Sequence, residues 1–198
     1  MKTGIIILAA GPSGRLGKPK QLLEINGKTL VRRVSEIALS VNPNDVMVIT
    51  GAQAEKVSAS VSDLNLSIVH NEEWEEGMAS SIRIGVLELQ RRKADAALIL
   101  LCDQIKVDQV LIQNILEEIQ KAEHSIVCCR YGGRLGTPAA FKHAFFDRLL
   151  ELKGNRGAKQ IIESSADKKI IEFPGGELDI DQPADLNLLS GNGLREGN

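Results

Sequence analysis

Five stretches of the chain are apolar with little alternation: 4–10, 45–50, 66–70, 96–101 and 125–129. Each is short and rich in β-branched residues, the pattern of a strand buried on both faces. Helical spacing fills the gaps. Leu30, Val34, Ile37, Ala38 and Val41 recur on one face, with Thr29 placed to cap the first turn. Ile82, Val86 and Leu89 predict a helix after the third strand. Val110, Leu111, Ile115, Leu116 and Ile119 predict another after the fourth, with Asp108 near its start. Strands alternating with helices imply parallel pairing through right-handed crossovers. The expected fold class is therefore α/β, a three-layer α/β/α Rossmann-like arrangement around a mostly parallel sheet.

The last third breaks this rhythm. Residues 130–141 contain Gly132, Gly133, Gly136 and Pro138 and read as turns flanking a short strand. Helical stretches come next at about 143–152 and 157–165, then a strand near 169–173. Asp179-Ile180-Asp181 leads into a final helix from Pro183. No repeat or long linker divides the chain, so a single domain over 1–190 is expected. Residues 191–198 have no periodicity and read as a frayed tail.

Composition narrows the class. Hydrophobic residues make up 43% of 198, enough for a core and too many for a disordered chain. The 24 basic and 26 acidic side chains nearly cancel, which argues against nucleic-acid binding by bulk charge but leaves room for a local anion site. Cys102, Cys128 and Cys129 include an adjacent pair and no C-x-x-C, and only three histidines exist, so neither a zinc site nor a disulfide framework is expected. Reduced thiols in a cytoplasmic protein are the simpler reading. The apolar run 5–10 falls far short of a bilayer span or a signal peptide.

The chemistry is expected where the first strand ends. Leu8-Ala9-Ala10-Gly11-Pro12-Ser13-Gly14-Arg15-Leu16-Gly17-Lys18-Pro19-Lys20 comes directly after a buried strand, where a parallel α/β sheet presents its ligand site. Gly11, Gly14 and Gly17 let backbone N–H groups approach an anion closely, and Arg15, Lys18 and Lys20 add cations. The combination suits a polyphosphate. It is not a Walker A loop, because Pro19 succeeds Lys18, and its G-x-x-G-x-x-G spacing is not that of a dinucleotide site.

These residues resemble the signature of nucleotidyltransferases that move a nucleoside monophosphate from a triphosphate onto a phosphate, the nucleotide-diphospho-sugar transferase type. The stretch from Gln21 to Leu30 is similar to the segment on the C-terminal side of the signature in those enzymes. Further segments resemble the molybdenum cofactor cytidylyltransferase group of the MobA-like NTP transferase family: 74–85, Cys102-Asp103-Gln104, 136–141, 154–158 and 179–183. The likeness spans about 5–187. Ile105 and Gln182 stand where the group often has Pro and Thr, departures that touch turn shape and remove no carboxylate.

Asp103 lies just past an apolar strand and belongs to the edge that carries the glycine loop. A carboxylate facing a triphosphate calls for a bridging cation, and Mg²⁺ favours one or two carboxylates with phosphate oxygens. Asp103 also reads as a turn or N-cap residue. The resemblance implies Asp181 as the second metal ligand, with Asp179 open between ligand and salt bridge. Expected nucleotide-binding residues are Leu8, Ala9, Ala10, Gly11, Gly14, Arg15, Lys20, Ser81 and Asp103. The catalytic set is Arg15, Lys20 and Asp103. The resemblance implies CTP as donor, the Ala9-Ala10 pair going with cytosine, and the terminal phosphate of molybdopterin as acceptor, approached from residues 130–160 with Asn155 and Arg156. Hand-over of the product to a molybdoenzyme or its chaperone is a further implied partnership. Rival readings are another donor base or acceptor, such as a sugar phosphate or methylerythritol phosphate, and a non-catalytic nucleotide-binding chaperone. Ser80 and Ser81 read either as contacts to base or ribose or as N-caps. Trp74 reads as a pterin stack or as core cover, and Glu72, Glu73, Glu75 and Glu76 as a solvated acidic loop. His70 reads as a satisfied hydrogen-bonder, and Cys102 as packing.

Overall fold

A computed structural model of the chain describes residues 1–14, 17–42 and 45–179. The elements, in order, are β1 (Thr3–Ala9), the short strands β2 (Glu24–Ile25) and β3 (Lys28–Thr29), helix α1 (Leu30–Val41), β4 (Val46–Thr50), α2 (Ala54–Val61), β5 (Ser67–His70), α3 (Met78–Arg91), β6 (Ala96–Leu101), α4 (Gln109–Gln120), β7 (Ile126–Tyr131), β8 (Arg134–Lys142), α5 (Phe146–Leu150), α6 (Lys159–Ser164) and β9 (Lys168–Glu172). Within the described residues, seven strands form one sheet in the order β5-β4-β1-β6-β8-β7-β9. β1 lies parallel between β4 and β6, from Ile5 opposite Val46 and Leu98 to Leu8 opposite Ile49 and Leu101. β8 alone runs against its neighbours β6 and β7, and β9 is again parallel to β7.

The strand side chains divide between two cores. Ile5, Ile7 and Ala9 of β1 pack with α1, α2 and α4 on one face, while Ile6 and Leu8 pack with α3, α5 and α6 on the other. Period-two alternation of apolar residues on both faces is what an unbroken run such as Ile5-Ile6-Ile7 achieves, each isoleucine having no exposed surface. The helix starts are also chemical. The Thr29 side chain accepts the Arg32 N–H at 3.2 Å to cap α1, and Asp108 accepts the Leu111 N–H at 2.8 Å to cap α4.

Several features depart from the expectation. The Gly-rich stretch expected as turns around a short strand holds β8, nine residues long and inside the sheet. A proline there is accommodated because Cys128 pairs with Ala139 and Cys129 with Gly136, leaving Thr137 and Pro138 bulged out of register. The Asn26-Gly27 turn, with φ of 52° and 73°, closes an unpredicted β2–β3 hairpin. Helix α2 is equally unpredicted; it buries only Val57 and Val61, too few apolar positions to set a period. Val110 does not belong to the buried face of α4, being 66% exposed. The helices expected over 143–152 and 157–165 are shorter, the first beginning as a 3₁₀ turn at His143–Phe145. The expected helix from Pro183 and the tail 191–198 lie outside the described residues.

Candidate active site

The parallel strands β1 and β6 end on the same edge of the sheet, so the glycine loop leaving β1 and the segment leaving β6 meet there. They enclose a cavity of about 320 Å³. Leu8, Ala9, Ala10, Gly11, Gly14, Lys20, Ser81 and Asp103 all lie on its wall, brought from β1, the loop, α3 and the β6 exit. Arg15 and Asp181, the other two residues expected at the site, lie outside the described residues. Asp179 is described: it forms an isolated antiparallel bridge with Gln104, next to Asp103 in sequence.

Lys20 and Asp103 form a direct ion pair on the cavity wall. The Asp103 carboxylate is 6% exposed and the Lys20 side chain 22%. A buried carboxylate needs such compensation, since an unpaired charge in this setting is costly. Asp103 does not cap a helix; α4 takes its cap from Asp108. Beside it, the Cys102 thiol is pushed up to about 12, first by burial and then by the Asp103 charge. It stays protonated and packs in the core, and all three cysteines are free and buried.

The opposite wall comes from the start of α3. Ser80 and Ser81 lie inside this helix; Gly77 is its N-cap and offers no side-chain bond, so neither serine caps it. Asn71, buried just past β5, donates from Nδ2 to Ser80 Oγ at 2.8 Å and to Ser81 Oγ at 3.0 Å, fixing the hydroxyl that faces the cavity. Sequence reasoning passed over Asn71; its signal was a polar residue directly after a strand on the ligand edge. Trp74 lines the same cavity, and its Cβ and the backbone of Ala10 both crowd Gly51. Gly51 is required by that approach: a Cβ there would lie 2.7 Å from the Ala10 carbonyl oxygen and 2.7 Å from the Trp74 Cβ.

The acidic stretch around Trp74 is not simply solvated. Glu76 pairs with Arg83 and also accepts the Gly154 N–H at 3.1 Å, and Arg83 donates to the Leu152 carbonyl at 2.8 Å. The Arg83 guanidinium holds the Glu76 carboxyl down at about 2. Ala79 N–H donates to the Gly154 carbonyl at 3.0 Å. These bonds draw residues 152–157 against the start of α3. Gly77, at φ 118°, has no room for a side chain, since a Cβ would come within 2.3 Å of Asn155 Oδ1. Asn155 therefore lies between the first cavity and a second of about 260 Å³, and lines both. Gln104, Tyr131, Arg134, Thr137, Lys159 and Asp179 line the second. Gln104 donates to the Thr137 carbonyl at 2.9 Å, which ties the β8 bulge to the segment carrying Asp103. Burial raises the Tyr131 phenol. His70 reaches Thr50 Oγ1 at 3.5 Å and does not line either cavity.

Residues 5–169 match the family profile described as the MobA-like NTP transferase domain. The chain belongs to that family. It is a nucleotidyltransferase, and its mostly parallel seven-stranded sheet with flanking helices matches the fold of solved neighbours. This nucleotidyltransferase is 26% identical over 195 residues to purine catabolism protein PucB of Bacillus subtilis (strain 168), covering 93% of this chain and 94% of that one. It is 40% identical over 81 residues to nicotine blue oxidoreductase of Paenarthrobacter nicotinovorans, a match that spans 40% of either chain. The crystal structure of Rv0371c from Mycobacterium tuberculosis H37Rv superposes with a TM-score of 0.80 at 26% identity, over 96% of this chain and 97% of that one. A complex of Rv0371c with manganese superposes at 0.77 with 23% identity, covering 97% and 100%. Among the described residues, no helix is long and apolar enough to cross a membrane.

Proposed function

We propose that this nucleotidyltransferase moves CMP from CTP onto the terminal phosphate of molybdopterin and releases pyrophosphate. The observation that carries the reading is the Lys20–Asp103 pair on the wall of a cavity floored by the glycine loop. It puts a cation for phosphate oxygens beside a carboxylate for a hard metal ion, in a space of ligand size. The small side chains of Ala9 and Ala10 leave the backbone open to a flat base, and Ser81 offers a fixed hydroxyl to base or ribose. The second cavity adjoins the first through Asn155 and brings Arg134 and Lys159, which suit an anionic acceptor.

The reaction needs in-line placement more than a strong base. An oxygen of the acceptor phosphate, already ionised at neutral pH, forms the new bond to the α-phosphorus. The bond from that phosphorus to the bridging oxygen breaks, and the electron pair leaves with pyrophosphate. Lys20, with Arg15, would hold the triphosphate and offset the charge that grows on the leaving group. Asp103 is an oxygen donor buried against a cation, a setting that suits exchange of that cation for a metal ion. With Asp181 it would hold Mg²⁺, which when bound withdraws charge from the phosphate oxygens.

The test is a thermal-shift panel of the four NTPs with and without Mg²⁺, then pyrophosphate release with molybdopterin and with sugar phosphates as acceptors. Selective stabilisation by CTP plus metal, and turnover on molybdopterin alone, is the expected result. Stabilisation by GTP, or turnover on a sugar phosphate instead, would overturn the donor or the acceptor. Binding without turnover on any acceptor would favour a nucleotide-binding chaperone.

A further inference from the structure

Gln21 sits on the 3₁₀ turn Lys20–Leu22 with 1% of its surface exposed. Its Nε2 donates to the carbonyl of Ala9 at 3.1 Å and to that of Gly11 at 2.6 Å. Its Oε1 accepts from Ser13 Oγ at 3.3 Å, and the same Ser13 oxygen accepts the Lys20 backbone N–H at 2.9 Å. Between them, the Ala10 carbonyl accepts the Ala52 N–H at 3.1 Å. Three consecutive carbonyls at the exit of β1 are thus each engaged by a donor from the protein. Among the described residues, no protein acceptor takes the N–H of Gly11, Ser13 or Gly14. The C=O and N–H of one peptide point in opposite directions, so the inward Ala10 carbonyl turns the Gly11 N–H outward, while the inward Gly11 carbonyl, whose peptide ends in Pro12 and has no N–H, anchors the turn that carries the Ser13 and Gly14 N–H groups; a run of such donors takes oxyanions. Lys20, one residue before Gln21, carries the charge that accompanies them. An apolar side chain at position 21 would leave two carbonyls without this donor and release the loop.

We infer that Gln21 is a positioning residue. It engages the carbonyls of Ala9 and Gly11, keeps the loop's N–H groups set for the oxygens of a nucleoside triphosphate, and is linked through Ser13 to the backbone of Lys20. The inference rests on the reading of the cavity as a triphosphate site. A purely structural glutamine would affect stability and leave phosphate binding by the folded protein unchanged.

The experiment compares the full chain with its Gln21→Met, Gln21→Glu and Ser13→Ala variants. Calorimetric titration with CTP and with inorganic tripolyphosphate, both with Mg²⁺, is done well below each variant's melting temperature. Loss of two donated hydrogen bonds should weaken both ligands by about tenfold or more in Gln21→Met and Gln21→Glu. In turnover the loss should appear in KM for CTP rather than in kcat. Taken relative to the wild type at each pH, Gln21→Glu should recover affinity as pH is lowered from about 8 to about 5.5, because burial against two carbonyls raises its carboxyl and the protonated form regains one donor, while the ratio for Gln21→Met stays flat. Folded variants with wild-type affinity and no such pH response would overturn the role of Gln21. If the position 21 variants do not fold, Ser13→Ala carries the test. A loss of about threefold or more supports the inference, and unchanged tripolyphosphate binding overturns it. Wild-type protein with no affinity for any NTP would instead refute the triphosphate reading, and the inference with it.

Discussion

Replacing Lys20 by Met removes the cation from the Asp103 carboxylate and leaves that carboxylate 6% exposed with its partner gone. Truncating one side of a fully buried ion pair costs about 3–5 kcal/mol, whereas exposed pairs are worth about 0–1 kcal/mol. Lys20 is about one-fifth exposed, so solvent reaches the pair and screens part of it. The expected loss is about 2 kcal/mol, a fall in Tm of about 4–8 °C for a chain of this size. Asp103→Asn keeps an acceptor for the Lys20 ammonium and should cost about 1 kcal/mol. The double variant then restores a neutral pair, and the double-mutant cycle should give a coupling of about 1–2 kcal/mol. Urea unfolding of the four proteins without ligand measures this directly. Activity should separate the two partners. Lys20→Met should lower turnover by about a hundredfold or more through lost stabilisation of the departing pyrophosphate. Asp103→Asn should abolish turnover while CTP binding weakens only in part. A coupling below about 0.5 kcal/mol, or near-normal turnover in either variant, would refute the argument that these two charges share one buried site.

Three other expectations arise from the same geometry. Gly51→Ala should cost about 1–3 kcal/mol, read by urea unfolding, and weaken nucleotide binding, because the new methyl collides with the Ala10 carbonyl and Trp74; unchanged stability would mean that the cavity floor yields freely. Asp63, held down to about 2 chiefly by its hydrogen bond to Arg32, and Glu76, held there chiefly by Arg83, sit below their ordinary values. Their contribution to stability is full above about pH 4 and lost as pH falls towards 2, so the urea midpoint should fall across that window and the slope should flatten in Glu76→Gln. The thiols of Cys102, Cys128 and Cys129, pushed up by burial to about 12, 11 and 12, should resist maleimide at neutral pH until the chain unfolds; rapid labelling of the native protein would contradict their packing.

The parts of the fold that were legible are those where one signal dominates. Ile5-Ile6-Ile7 and the run Ala96–Leu101 admit little but buried parallel strands, and Thr29 and Asp108 mark their helix starts by the hydroxyl and carboxylate that cap them. The placement of the candidate site was legible for the same reason: parallel strand direction puts the glycine loop after β1 and Asp103 after β6 on one edge. What escaped depended on partners distant in sequence. A nine-residue strand containing Pro138 violates local propensity, and only the bulge opposite Cys128 and Cys129 allows it. The Asn26-Gly27 turn carried a recognisable hairpin signal that the apolar pattern drowned. The serines at the start of α3 stayed open between caps and ligand contacts because nothing local shows that Asn71 reaches across to hold them. Glu76 looked solvated because its partners, Arg83 and the Gly154 amide, are 7 and 78 positions away.

The reversed direction of β8 divides the labour of this molecule. Because that strand begins where β1 and β6 finish, Arg134 and Thr137 arrive at the second cavity from a hairpin whose tip is only Gly132 and Gly133. The loop that grips the first cavity is built entirely from the opposite end of the chain. Lengthening or rewriting that two-glycine tip would reshape one chamber while leaving Ala9, Gly11 and Lys20 undisturbed. With the donor in the first cavity and the acceptor in the second, as proposed, such an arrangement would let a lineage exchange what receives the transferred group at little cost to the machinery that delivers it.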